Sequence, residues 1–221
     1  VIFRGINTEY FNPNKILESD EKKLLSQWKI VKNKPLILLP GRLTSWKGQE
    51  MFIEALNLVN QELKQEVFNA VILGDAQGRD IYKKKLLRLV EQYRLNKQVK
   101  FVDHCKHMPL AYKISNLVVS SSIEPEAFGR VSVEAQSMAR PIVASDIGGS
   151  KETIVNEKTG FLFQSGNPNA LAETIMMVMK KDYNSLKSIG FEGRKNVLKK
   201  FDVDKMCQTT FTEYKKLIEL S

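Results

Sequence analysis

The chain has 221 residues, 43% hydrophobic and 27% charged, with a formal net charge of +9. This composition argues against a disordered or disulfide-scaffolded protein and suits one large globular domain with a sizeable core. The charge admits three partner classes: nucleic acid, an anionic membrane surface and anionic small ligands.

No apolar run reaches the roughly 20 residues that span a bilayer. Two cysteines, Cys105 and Cys207, are too few for a disulfide framework and fit a reducing cytosol. The chain starts V-I-F-R-G-I-N, without a start methionine or a signal-type pattern, which predicts a piece of a longer protein.

In chain order, residues 1–15, with Gly5 and Pro13, read as an irregular segment, and 18–29 as a short helix capped by Ser19 or Asp20. Leu36 to Leu39 is an apolar run closed by Pro40–Gly41, as in a strand buried on both faces. After a loop at 42–47, a helix over 49–63 carries Phe52, Ala55, Leu56, Val59 and Leu63 on one face. The pattern repeats as strands at 70–73, 99–102, 117–119, 141–144 and 160–163. Helices over 81–93, 109–114, 131–138 and 148–155 separate them. Beyond Pro168 the chain reads as helical, with one stripe of Leu171, Ile175, Val178 and Met179. A second stripe has Val203, Met206, Phe211, Tyr214, Leu217 and Ile218.

Such alternation predicts an α/β fold: a doubly wound, Rossmann-like parallel sheet with helices on both faces and a helical C-terminal tail. The expected divisions are 1–34, an opening segment with a short helix; 35–165, the sheet domain; and 166–221, further helices of that domain. Ligands are expected at the carboxyl ends of the strands.

Several stretches fall at those ends. In P-G-R-L-T-S-W-K-G (40–48), Gly41 permits a tight turn, and Arg42 and Lys47 bring two cations to the ligand rim. The spacing fits neither G-x-x-x-x-G-K-[ST] nor G-x-G-x-x-G, and two exposed loop cations are the alternative. Gly74, at the second strand end, allows close approach of a ligand to backbone, or simply a turn. D-H-C-K-H (103–107) has metal-ligand residue types but no second Cys/His cluster, so no metal is expected there.

The fourth stretch is E-P-E-A-F-G-R-V-S-V-E (124–134). Gly129 gives a corner before a helix whose free N–H groups attract an anion. Glu126 lies in the loop and Glu134 in the helix. Their plainest readings are a carboxylate in water and an acid favoured by the helix dipole, and Phe128 by default is core. The convergence of paired cations and paired carboxylates on one sheet edge favours a phosphate beside sugar hydroxyls, because a carboxylate can accept from two adjacent hydroxyls. There is no Ser/His/Asp set. The basic clusters, such as Lys83 to Lys85 and Lys199–Lys200, lie on helix faces without interleaved aromatics, so nucleic acid is not an expected partner.

Taken together these stretches resemble the carboxyl-terminal half of a retaining glycosyltransferase of the group 1 family, which has the GT-B architecture. The resemblance runs over nearly the whole chain, through V-I-F-R-G-I-N-T-E-Y-F-N-P, G-R-L-T-S-W-K-G, I-L-G-D, E-A-F-G-R-V-S-V-E and R-P-I-V-A-S-D-I-G-G-S-K-E. It implies that Arg42 and Lys47 neutralise the diphosphate of a nucleotide sugar, and that the amides around Gly129, Arg130 and Val131 hold its distal phosphate. Glu126, with Ala127, Phe128 and Gly129, would bind the transferred hexose, and Glu134 both ribose hydroxyls. Gly41, Gly74, Cys105 and Met108 would border the phosphates and nucleoside. Glu126, Arg42 and Lys47 are the implied catalytic residues. No metal or other cofactor is implied.

Three departures stand out: Arg130 where an aliphatic residue is usual, a third phosphate cation or a surface charge; D-A-Q-G-R after Gly74; and Phe3–Arg4 where Pro–Asn is usual. The family's other half carries the acceptor site, so this chain is expected to bind donor without transferring sugar. Its last helix, over 202–219, is expected to cross towards that missing domain, with its apolar stripe partly exposed. The acceptor is expected to be a glycan or lipid-linked, and the location cytoplasmic, at the membrane face where the basic charge would meet anionic lipid. The competing reading is a non-catalytic module that binds a phosphorylated ligand.

Overall fold

Runs such as L-I-L-L-P and N-A-V-I-L have no polar face, so they are stable as strands only where both sides of a sheet are covered. The computed structural model, which describes residues 1–31, 33–63 and 67–219, buries them in this way. The strands are β1 (Leu36–Pro40), β2 (Asn69–Leu73), β3 (Val99–Val102), β4 (Leu117–Ser120), β5 (Ile142–Ser145) and β6 (Phe161–Phe163). They form one parallel sheet in the order β3-β2-β1-β4-β5-β6.

Alternate strand residues feed two cores. Ile37, Leu39, Ile72, Val119 and Val143 face α2 (Gln49–Leu63), α3 (Asp80–Gln92) and α7 (Pro168–Met179), through Phe52, Leu56, Leu86, Val90, Leu171 and Ile175. Leu36, Leu38, Val71, Val118 and Ile142 face α1 (Glu18–Gln27), α4 (Met108–Ile114), α5 (Arg130–Ser137) and α8 (Tyr183–Lys200). Leu24, Tyr112, Val133 and Val197 meet them there.

The strand order reverses between β1 and β4. Connections run one way to β2 and β3 and the other way to β5 and β6, which leaves a crevice beyond the carboxyl ends of β1 and β4. The Arg42–Lys47 loop and the Glu126 loop leave the sheet at this point.

The opening segment is strapped across the same end of the molecule. Ile6 bridges to Asp202, and its N–H donates to Phe201 O at 2.8 Å. The Thr8 hydroxyl donates to Asp202 Oδ2 at 2.5 Å, and Ser137 Oγ donates to Phe11 O at 2.7 Å. Residues 1–15 are therefore tied to α5 and to the junction of α8 with α9 (Val203–Glu219).

Two expectations are corrected in detail. The first helix is not capped by Ser19 or Asp20: its N-cap is Leu17, with no side-chain cap bond. Instead Glu18, Asp20 and Glu21 fill the first turn, where the helix dipole favours anions. The remaining elements start or stop within about two residues of their predicted ends, the ordinary uncertainty of a fraying terminus. The stripe on α9 is exposed as expected: Phe211, Tyr214 and Leu217 are each at least 60% exposed, and none of its described residues is buried. The short helix read over 148–155 is confined to α6 (Ser150–Thr153).

Candidate functional site

The site is assembled by backbone stitching between loops that leave adjacent strands. Ser121 Oγ donates to the carbonyls of Lys47 (3.0 Å) and Gly48 (3.1 Å), and Ile123 N–H donates to Trp46 O at 2.8 Å. From the other side, Gly149 N–H donates to Glu126 O at 2.7 Å. The loop carrying Glu126 is thus pinned between those after β1 and β5.

Pinning brings one expected cation onto one expected carboxylate. Lys47 Nζ lies 2.7 Å from Glu126 Oε2, and Ser122 Oγ donates to Glu126 Oε1 at 2.5 Å. Lys47 also stands 4.5 Å over the Trp46 ring, and its methylenes pack at 3.6 Å against the place where a Cβ on Gly41 would be. Stem and head are both fixed, with the side chains only 14% and 19% exposed. Arg42 is different. Its carbonyl accepts from Gln49 Nε2 at 2.8 Å, but its exposed guanidinium has no ion pair among the described residues. One cation is preset and the other is available.

Gly129 opens α5 in a left-handed conformation (φ 70°, ψ 57°), which a residue without Cβ adopts freely. No side chain caps the helix, so its first amides remain open to an acceptor. Ala127 is exposed at this corner. Phe128 is half-buried, its ring centroid 6.0 Å from that of Phe201, so it is partly core.

Glu134 is buried deeper, one turn along the helix. The fully buried Tyr112 hydroxyl donates to its Oε2 at 2.8 Å, while Arg130 donates to Oε1 through Nη2 (2.9 Å) and Nε (3.2 Å). Burial pushes the Glu134 carboxyl above the ordinary carboxylate value, and the Tyr112 and Arg130 hydrogen bonds oppose that rise. A carboxyl that holds its proton more tightly when folded adds stability fully below its unfolded pKa and loses it as pH rises through the folded one. Glu134→Gln is therefore expected to gain on wild type as pH climbs through that window. Urea unfolding at a series of pH values checks this, and parallel pH profiles for the two proteins would refute it.

Glu134 opens on a cavity of about 670 Å³. Gly41, Met108, Arg130 and Val131 from the expected set line it, together with Tyr112 and the opening segment's Ile6, Asn7 and Tyr10. That size suits a nucleotide-scale ligand. Arg42, Lys47, Glu126, Ala127, Phe128 and Gly129 lie beyond its wall, and so do Gly74 and Cys105. Gly74 backs onto the Gly41 carbonyl, and Cys105 is half-buried, donating its thiol to His107 O at 3.4 Å. Burial raises the Cys105 thiol pKa. Among the described residues, no three His, Cys, Asp or Glu side chains converge as a metal site would need, and no helix is long and apolar enough to cross a membrane.

Sequence reading missed Tyr112, Ser122 and Tyr10. A lone tyrosine in an apolar helix was a usable signal, since a buried phenol needs a hydrogen-bond partner. Arg130 and Glu134 are four apart on a helix, which also foretells their pairing.

Residues 20–196 match the model of the family "Glycosyl transferases group 1". The chain belongs to that family and has the fold of one half of a GT-B enzyme. An uncharacterized glycosyltransferase of Methanocaldococcus jannaschii is 30% identical across the whole chain, which spans 54% of that relative. A solved glycosyltransferase from Rickettsia africae superposes with a TM-score of 0.94 at 32% identity, covering all of this chain and 57% of its own. Anabaena HepE, solved in complex with UDP and glucose, superposes at 0.87 with 29% identity, covering 97% of this chain and 56% of its own. The chain thus spans little more than half the length of each of these three proteins.

Proposed function

We propose that this chain is the donor-binding half of a retaining glycosyltransferase that moves a hexose from a nucleoside diphosphate sugar to a glycan or lipid-linked acceptor. The observation that carries the reading is the Lys47–Glu126 pair at 2.7 Å beside the uncapped start of α5, next to a cavity that ends on Glu134. In this reading Arg42, Lys47 and the α5 amides hold the diphosphate, Glu126 faces the sugar, and Glu134 accepts the ribose hydroxyls. As the anomeric C–O bond breaks, negative charge grows on the leaving diphosphate, and fixed cations with a helix start stabilise that charge more than the ground state. The countercharge comes from the protein, so no metal is called on to neutralise the leaving group.

The HepE complex with UDP and glucose supports this ligand class. Coverage of about half of each relative, with the exposed apolar face of α9, supports an N-terminal domain as partner and acceptor carrier. The charge of +9 supports work at an anionic membrane face on the cytoplasmic side.

A thermal-shift screen of nucleoside diphosphates and their sugars tests the donor site. Wild type is expected to shift with at least one of them, and Arg42→Ala and Glu134→Ala to respond less. No shift in wild type, or equal shifts in the variants, would sink the assignment. Sugar transfer by this chain alone, with any acceptor, would overturn the division of labour.

A further inference from the structure

Arg130 does something that neutralising a phosphate does not require. Its Nε and Nη2 both donate to Oε1 of Glu134, while the Tyr112 hydroxyl fills a site on Oε2. An ionised carboxylate offers about four lone-pair sites. Three donors from the protein already use it, so two adjacent hydroxyls cannot both be accepted until one donor leaves. Tyr112 is fully buried in the core beneath α5 and cannot swing away. The Arg130 side chain is 72% exposed, against 9% for Glu134, so its departure is easy.

Its destination is near. Arg130 is the first residue of α5, directly after Gly129, where an anion meets the free amides. It lines the same cavity as Gly41, and the Lys47 stem lies 3.6 Å from where a Cβ on Gly41 would be. A guanidinium binds phosphate oxygens in a bidentate manner, at least as well as it binds a carboxylate.

We propose that Arg130 is a displaceable latch: it closes on Glu134 in the empty site and transfers to a phosphate of the incoming nucleotide when ribose hydroxyls take its place. This rests on the assignment of Glu134 to the ribose. The latch makes ribose recognition conditional on phosphate. A nucleoside without phosphate must push Arg130 into water with nothing to receive it, whereas a nucleoside diphosphate brings the replacement acceptor. Arg130 is thus a specificity residue that favours phosphorylated ligands over nucleosides. A fixed brace, the competing arrangement, would help both ligand types equally.

The test compares wild type, Arg130→Met and Arg130→Lys for affinity to UDP and to uridine, and then to the adenine and guanine pairs, by ligand-observed NMR with competition. Thermal unfolding confirms that the exposed change leaves the fold intact. In Arg130→Met, nucleoside affinity is expected to rise about threefold and diphosphate affinity to fall about tenfold, so the preference for phosphate drops about thirtyfold. Arg130→Lys, which keeps the charge without the fork, is expected to lie between. Parallel weakening of both ligands, or no change in either, overturns the latch while leaving the donor site standing. Wild type that binds none of the diphosphates overturns both together.

Discussion

Lys47→Met is expected to weaken nucleoside diphosphate binding about 100-fold and to destabilise the fold by about 1–3 kcal/mol, whereas Arg42→Ala costs about tenfold in binding and almost nothing in stability. The contrast follows from how the two cations are held. Lys47 is mostly buried and paired with Glu126 at 2.7 Å, so its loss leaves a partly buried carboxylate with only Ser122 Oγ as donor. Arg42 has its backbone fixed through Gln49 and its head in water, so alanine removes an attraction for the ligand and little else. Calorimetric titration and thermal unfolding on the same samples separate the two effects. The double variant Lys47→Met/Glu126→Gln removes the orphaned charge and is expected to regain most of the stability but none of the binding. Diphosphate binding by Lys47→Met at wild-type strength would remove Lys47 from the site.

The legible part of the molecule was legible for one physical reason: parallel strands covered on both faces must be apolar throughout. Leu36 to Leu39 and Ala70 to Leu73 therefore announce themselves, and the residues just after them must lie on the ligand rim. Arg42, Lys47, Glu126 and Glu134 were singled out this way, by position relative to a strand end. Tyr112 and the opening segment were hidden, because their roles depend on contacts between distant residues. Thr8 reaches Asp202, 194 positions away, and with the bonds of Ile6 and Phe11 it holds Tyr10 and Asn7 at the cavity wall. Arg130 lay between these cases. Its spacing from Glu134 was local and readable, but whether its charge served phosphate or carboxylate depended on where the helix pointed.

The same closeness of strand ends that makes the site makes it intolerant of one methyl group. Gly74→Ala is expected to cost about 3 kcal/mol or more, an overpacking penalty at the upper end of its usual range. For a domain of this size that is a fall in melting temperature of roughly 6–12 °C. A Cβ on Gly74 would stand 1.8 Å from the Gly41 carbonyl oxygen and 2.6 Å from its carbon. Neither backbone can retreat easily. Gly74 N–H donates to Val102 O and Gly41 N–H to Leu73 O, both at 2.8 Å, so the ends of β1, β2 and β3 are locked in register. Relief can come only by pushing out the turn that carries Arg42, whose neighbour Leu43 is itself bonded to Asp75 O at 3.1 Å. Diphosphate affinity is therefore expected to fall with stability, although Gly74 does not line the cavity beside Glu134. Gly78→Ala is the control: its φ of +81° disfavours a side chain, but nothing stands within 4 Å of the added carbon. It is expected to cost only about 1–2 kcal/mol, from backbone conformation alone. Urea unfolding of both variants measures the difference. If Gly74→Ala unfolds no more readily than Gly78→Ala, the strand ends can part without loss, and the rigid rim on which the proposed donor site is built does not exist.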